Sequence, residues 1–294
     1  MVSSDFATKF LKLAKSDKNI VSFIFLLRQK RFMWRLKMDS GNIGFVLLCA
    51  AFVFVMTPGL AMFYGGLVRK KNVVNTMMTS IFIIGVGIVM WVLFGYSLSF
   101  APSGNAFIGD FRWLGLEGVS LTEGYTDDAS IPNMVFSAFQ MMFAVITPAL
   151  ITGAVAGRMK FKSIFVFTIF WSLIVYYPLA HMVWGQGGLL GADGIGALDF
   201  AGGDVVHISS GVSALVLCIL LGKRHDYEHS IYRIHNIPTV VLGASLLMFG
   251  WFGFNAGSAL AADGLAAHAF MTTGVSAAAA MLSCCLLYTS DAAD

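Results

Sequence analysis

The residues most able to do chemistry lie in one short segment, from Asp199 to Gly211, at the start of a long apolar run. This segment contains Asp199, Asp204 and His207. Ionisable side chains at membrane depth cost free energy, and by default they mark a path for a substrate or a proton. An aspartate just before a helix can instead accept hydrogen bonds from the free backbone N–H groups of the first turn. For Asp199 we favour this capping role over direct contact with a substrate.

His207 is the strongest candidate for a polar group inside the membrane. Asp204 lies three residues before it, which on a helix allows contact, although Asp204 is equally suited to be a partner of the helix dipole. Gly203 and Gly211 lie four residues to either side of His207. Such a stripe of small residues permits close helix approach and leaves room for a narrow lumen beside the ring. We favour pore lining for His207, with a packing role as the alternative.

Two further apolar runs carry aromatic and polar side chains at helical spacing. These are Phe136, Gln140, Phe143 and Thr147 on the third run, and Trp251, Phe254, Asn255 and Ser258 on the sixth. Aromatic faces attract cations, and a hydroxyl oxygen accepts N–H donors. The two faces are therefore suited to hold a small cation at an outer vestibule. Phe143 and Phe254 can close a pore if the two helices pack side by side, whereas ordinary packing is the alternative for any single ring.

Composition independently indicates a membrane protein. Apolar residues make up 57% of the 294 residues and charged residues only 12%, with a mean hydropathy of +0.78. A soluble domain carries about 25% charged residues. The net charge of +3 is too small and too dispersed to indicate nucleic-acid binding. The sequence contains neither a nucleophile–base pair nor a phosphate-binding loop, so we expect no enzyme, no metal and no cofactor.

Seven apolar runs reach the length of about 20 residues that a helix needs to cross a bilayer. They are 43–67, 72–100, 131–156, 163–184, 203–222, 237–260 and 264–288. Basic clusters follow the first, third and fifth runs, and the positive-inside rule makes that side cytoplasmic. The loop 101–130 on the opposite side carries five acidic residues against Arg112 alone. The amino end of the first span is therefore predicted to lie outside the cell.

Five motifs occur in an order that resembles the ammonium transporter family. They are MTPGLAMFYGG at 56–66, FQ at 139–140 with Phe143, AHMVWG at 180–185, DFAGGDVVHI at 199–208, and GWFGFNAGS at 250–258. The likeness extends from about Met38 to Ser283. It implies an all-α polytopic membrane protein of eleven helices with inverted repeats of five, of which about seven spans are present here. It also implies a homotrimer with a pore through each subunit.

The resemblance implies an external ammonium recognition site formed by Trp184, Ser258 and Phe143 and shaped by Asp199. It further implies that Phe143 stacks against Phe254 as a phenyl gate.

Below that gate, the resemblance makes His207 the first of two pore-lining histidines. The second belongs to the family's tenth helix, which the seven spans do not include. The expected function is transport across the plasma membrane: NH4+ is recognised outside and deprotonated, and NH3 passes, alone or with a separate proton. Expected partners are the lipid bilayer, further copies of the chain and a cytoplasmic PII-type regulatory protein. An ammonium sensor of the same fold and a neutral-gas channel of Rhesus type are the alternatives, and the retained Trp184 and Ser258 argue against the second.

Both ends of the chain depart from this pattern. Residues 1–37 are rich in Lys and Arg although they would lie outside the cell, so we interpret them as an upstream extension. A basic surface helix is the alternative. The transporter domain is then 38–288, and residues 289–294 are interpreted as the end of a fragment. We accordingly expect the chain as given not to transport ammonium.

Overall fold

The regular structure of the described part of the chain is helical. The computed structural model describes residues 38–102, 105–192, 194–224, 227 and 233–291, so the interpretation of 1–37 lies outside the described residues. Seven of the described helices are long and apolar enough to cross a membrane. They are α1 Ser40–Leu67, α2 Lys70–Phe100, α3 Asn133–Val155, α4 Phe161–Trp184, α5 Gly203–Leu221, α6 Ile237–Gly257 and α7 Gly264–Asp291. No helix end differs from its predicted limit by more than three residues.

Local capping explains where two of these helices begin. The Asp39 carboxylate accepts a hydrogen bond of 2.7 Å from the backbone N–H of Asn42, and α1 therefore starts at Ser40. In the same way the Asn236 side chain accepts from the backbone N–H of Thr239 at 3.1 Å at the start of α6. Each cap satisfies an N–H group that has no partner within the helix.

The α3 helix lies at the centre of the bundle, and α1 packs closely against α6. Glycines on α6 make this approach possible: a Cβ built on Gly253 would lie 2.7 Å from the Cβ of Phe52 on α1. A Cβ on Gly257 would similarly lie 2.6 Å from the Cβ of Cys49. Small residues let membrane helices approach closely and gain dispersion contacts. This packing fixes the position of Phe254, which lies between the two glycines in sequence and is buried.

Three spans contain a π-helical turn. These are Trp91–Gly95 in α2, Ser172–Tyr176 in α4 and Gly203–Ile208 at the start of α5. The turn of α2 packs against α4 directly after the turn of that helix, since the ring of Trp91 lies 6.1 Å from that of Tyr177. Such turns are rare and occur often at functional sites because they rotate the side chains that follow.

The loops that follow α1, α3 and α5 meet at one end of the bundle. The backbone N–H of His235 donates to the carbonyl of Gly66 at 3.0 Å, and the guanidinium of Arg158 donates to the carbonyl of Gly222 at 2.8 Å. All three predicted basic clusters therefore lie at the same end.

The acidic loop lies at the other end. The Asn42 side chain donates to the hydroxyl of Ser130 at 2.8 Å and accepts from the backbone N–H of Ala262 at 2.9 Å. Within the loop, Arg112 pairs with Asp110 at 2.7 Å, and this hydrogen bond lowers the pKa of the Asp110 carboxyl. The charge asymmetry read from the sequence thus follows the long axis of the bundle.

Candidate functional site

The Asp199 carboxylate caps the start of α5. One of its oxygens accepts from the backbone N–H groups of Gly202 and Gly203 at 2.5 and 2.9 Å, and the other from Asp204 and Val205 at 2.8 and 3.0 Å. Four N–H groups that a helix leaves unpaired are satisfied by one side chain. These contacts confirm the capping role favoured for Asp199.

Gly202 makes the tight turn that brings Asp199 under the helix. Its φ of +99° belongs to the left-handed region, which suits glycine. A Cβ at this position would lie 2.7 Å from the side chain of Val206 and 3.7 Å from the indole of Trp184. Gly202 of the DFAGG motif therefore serves backbone geometry next to the site.

The cap gives a testable expectation for stability. Asp199→Asn leaves one acceptor oxygen for four N–H donors, so we expect the free energy of unfolding to fall by about 1–3 kcal/mol. Thermal unfolding of the purified protein in detergent measures this. Asp204→Asn is the matched control in the same turn, with an expected change within about 0.5 kcal/mol. Equal effects of the two substitutions would contradict the cap.

Trp184 is held at the end of α4 by two sets of contacts. Its indole N–H donates to the backbone carbonyl of Asp199 at 2.9 Å. One turn earlier, His181 is 0% exposed, and its ring nitrogens lie 3.1 Å from the carbonyl oxygen of Ser99 and 2.8 Å from that of Asn105. These contacts connect the end of α4 to the end of α2, to the outer loop and to the cap of α5. The Asp199 carbonyl orients the indole, and the His181 contacts hold the helix end that carries it.

Trp184 lines a cavity of about 410 Å³ at the acidic end of the bundle. We call this cavity the outer vestibule. Phe143, Asp199 and Ser258 also line it, so the four predicted recognition residues are brought together. They come from α3, from the end of α4, from the α4–α5 loop and from the end of α6. Their role in recognition stays a prediction.

The hydroxyl of Ser258 has the geometry of an acceptor towards the vestibule. It donates its proton to the backbone carbonyl of Phe254 at 2.8 Å, so the oxygen lone pairs are left to accept an N–H from a ligand. Gln140 also lines the vestibule and is 8% exposed. Its side-chain oxygen has no hydrogen-bond partner among the described residues. Two residues from different helices that carry acceptor oxygens therefore line the same cavity.

Tyr125 is a vestibule residue that the sequence analysis missed. It belongs to the outer loop, and its ring stacks on that of Phe136 with centroids 4.8 Å apart. Gln186 holds it by donating its backbone N–H to the Tyr125 hydroxyl at 3.0 Å and its side-chain amide to the Tyr125 carbonyl at 2.9 Å. Burial raises the pKa of the Tyr125 phenol to about 12. No helical periodicity marks this residue, because its segment is irregular.

Two phenyl rings form what we call the floor of the vestibule: Phe143 lines the cavity, and Phe254 packs against it without lining the cavity itself. The centroids of Phe143 and Phe254 lie 4.3 Å apart, and each side chain is 1% exposed. The ring of His207 lies 5.9 Å from that of Phe254 and stacks on Trp251 at 5.6 Å. Successive ring contacts thus lead from the vestibule through Phe143 and Phe254 to His207.

Some polar residues of the predicted faces are used elsewhere. The hydroxyl of Thr147 donates to the carbonyl of Phe143 at 2.6 Å within α3, and the side chain of Asn255 donates to that of Thr273 on α7 at 2.8 Å. Neither lines the vestibule. A Cβ at Gly203 or Gly211 would meet open space among the described residues. The expectation that these glycines permit close helix approach is therefore wrong for the described helices, but they do leave room beside His207.

Comparison with known proteins decides the family. Residues 44–292 match the family model described as Ammonium Transporter Family. The chain belongs to the ammonium transporter family. Among curated members, it is 52% identical over 242 residues to the ammonium transporter of Bacillus subtilis. This match covers 82% of this chain and 58% of that protein. It is 42% identical over 243 residues to the ammonium transporter Amt1 of Archaeoglobus fulgidus. This match covers 83% of this chain and 59% of that protein.

Solved structures of the ammonium transporter family have the same fold. The crystal structure of Saccharomyces cerevisiae Mep2 matches with a TM-score of 0.68 and 37% identity, over 78% of this chain and 51% of that one. A protein named Sensor Amt Protein matches with a TM-score of 0.75 and 29% identity. This match covers 85% of this chain and 62% of that one. The chain spans little more than half the length of the curated relatives that it matches. It is a multi-pass membrane protein with the ammonium transporter fold.

Proposed function

We propose that the protein takes part in ammonium transport, recognising NH4+ in the outer vestibule and conducting NH3 past the ring pair towards His207. The observation that carries this proposal is a succession of contacts that joins three parts: the vestibule, the ring pair and His207. The vestibule combines aromatic rings with the free lone pairs of Ser258. Its floor is the Phe143–Phe254 pair, and His207 follows directly.

The energetics favour passage of the neutral species. Moving an intact ion of this size into a low-dielectric lumen has an idealised cost of about 20 kcal/mol. Removing a proton from an amine whose pKa lies two to three units above neutrality costs roughly 3–4 kcal/mol. Recognition of the cation outside and conduction of the neutral amine inside therefore divide the task between the aromatic vestibule and the apolar path beyond the rings.

Binding to the 294-residue chain tests the recognition step. We expect labelled methylammonium, which keeps three N–H donors, to bind saturably to the protein in lipid nanodiscs and to be displaced by unlabelled ammonium. Trp184→Leu should weaken binding about tenfold through the lost cation–π contact, and Ser258→Ala about threefold or more through the lost acceptor. Phe170→Leu, an exposed aromatic on the same helix as Trp184, is the matched control. Unchanged binding in both vestibule variants would refute the proposed site.

We further propose that the amino end of α1 lies outside the cell and that the basic loops face the cytoplasm of a plasma-membrane protein. The prediction is tested with single cysteines in a background without the four native ones. In sealed cells, an impermeant maleimide should label Thr122→Cys in the acidic loop but not Lys160→Cys at the basic end. Permeabilisation should expose the second site. Labelling of Lys160→Cys in sealed cells would contradict this orientation.

A homotrimer and a PII-type cytoplasmic regulator are proposed on family membership alone. An ammonium sensor is the second candidate function, favoured by the structural match to Sensor Amt Protein. The transporter is the better supported of the two, because relatives named as ammonium transporters are 42–52% identical and that neighbour is 29% identical.

A further inference from the structure

The outer vestibule is much larger than the ion that it is proposed to recognise. Its volume is about 410 Å³, whereas on the same measure about 10–15 Å³ is enough for one water-sized particle such as ammonium. Cavities of about 300–1,000 Å³ are those in which proteins enclose organic ligands. The space therefore suits a larger cation than ammonium itself.

Its lining is that of a cage for organic cations. Six aromatic residues line the cavity, namely Tyr125, Phe136, Phe139, Phe143, Trp184 and Phe200. Their planes differ: Phe143 stands at 90° to Trp184 and at 65° to Phe139. Rings in several orientations present faces to a cation from more than one side, which is how proteins recognise quaternary ammonium groups.

The charges of the lining favour the same ligands. Two carboxylates border the vestibule, Asp128 and Asp199, and none of the described residues that line it is basic. The Asp199 carboxylate is engaged by four backbone N–H groups. Asp128 is exposed at the cavity wall within the acidic loop. A cavity wall that carries only negative charge raises the local concentration of cations.

We propose that the outer vestibule also binds methylated quaternary ammonium cations, such as tetramethylammonium, in competition with ammonium. A quaternary nitrogen has no N–H, so it makes no hydrogen bond to Ser258, and it interacts through the rings and the negative charge of the cavity wall. It has no proton to lose, so it stays charged and cannot follow the neutral amine past the Phe143–Phe254 pair. The inference rests on the proposed function, because the same rings serve both ligands.

This difference in chemistry predicts different responses to two substitutions. Ser258→Ala removes an acceptor that only an N–H-bearing cation uses, so methylammonium affinity should fall about threefold or more while tetramethylammonium affinity changes by less than about twofold. Trp184→Leu removes a ring that both cations use, so both affinities should fall about tenfold. Phe170→Leu should leave both unchanged.

The test uses the complete 294-residue chain in lipid nanodiscs. Labelled methylammonium and labelled tetramethylammonium are each titrated, and each is displaced by the other. The neutral tert-butanol, which has a similar shape, is the control for apolar binding and should displace neither. Mutual displacement with the two mutational responses above is the expected result.

The outcomes separate this inference from the proposed function. Saturable methylammonium binding that tetramethylammonium does not displace overturns the inference and leaves the ammonium site intact. Tetramethylammonium binding without methylammonium binding supports an organic-cation site and refutes the proposed ammonium site. Equal displacement by tert-butanol, or tetramethylammonium binding that is unaffected by Trp184→Leu, overturns the aromatic cage.

Discussion

Phe254→Ala is expected to open the floor of the vestibule and to weaken discrimination between ammonium and other cations. The phenyl ring is 1% exposed and lies 4.3 Å from that of Phe143, so its removal leaves a gap directly between the vestibule and His207. Steric closure and cation attraction are lost together. We expect potassium-dependent current to rise about tenfold relative to ammonium-dependent current, since the lost closure is worth at least about 1.4 kcal/mol of selectivity.

A chimera provides the measurement. Residues 44–285 replace the matching segment of the Bacillus subtilis ammonium transporter, and currents are recorded from reconstituted membranes. Phe252→Ala is the matched control, because this ring stacks on Phe270 of α7 with centroids 4.3 Å apart, away from the vestibule. Since Phe→Ala in a packed site costs about 3–5 kcal/mol of stability, Phe254→Leu is measured as well and should give an intermediate selectivity. Selectivity at the level of the parent chimera in both Phe254 variants would refute a gate.

His207→Ala is expected to impair or alter conduction while recognition outside persists. The imidazole is the polar group that follows the ring pair, and without it a molecule in this apolar path loses a hydrogen-bond partner. Such a loss costs about 1–3 kcal/mol, which corresponds to a change of about five- to 150-fold in rate or selectivity. The same chimera gives the ammonium-dependent current and its ratio to the potassium-dependent current.

Binding and a second histidine provide the controls. Methylammonium affinity should stay unchanged in His207→Ala, because Trp184, Phe143 and Ser258 line the vestibule and His207 does not. His268→Ala, on the exposed surface of α7, should leave the current unchanged. If His207→Ala conducts with parental current and selectivity at equal protein density, His207 is a packing residue.

The spans were predictable because their cause is local. A helix that crosses a bilayer must satisfy its backbone hydrogen bonds internally and expose apolar side chains for about 20 residues. Both requirements can be read from any stretch of sequence without its partners. The helix ends differ by up to three residues from their predicted limits. Single capping residues such as Asp39 and Asn236 determine where a helix begins.

The Asp199 cap was predictable for the same reason. All its partners lie within six residues of it along the chain. Phe143 and Phe254 are different, because these residues are 111 positions apart in the sequence and their contact depends on how α3 and α6 each pack against α1. Helical periodicity indicated the correct faces of both helices, but it also included Thr147 and Asn255, which bond to α3 itself and to α7.

By itself the sequence determined the membrane-spanning architecture, the charge asymmetry of the two ends and the turn that carries Asp199. Each follows from hydropathy, charge or hydrogen bonding over a few consecutive residues. Only the tertiary structure decided the vestibule. Tyr125 enters it from an irregular loop through contacts with Gln186, and the π-helical turn at Gly203–Ile208 sets the direction of His207. The Tyr125 contacts join segments that are distant in sequence, where many arrangements satisfy the same local pattern and only close complementarity selects one.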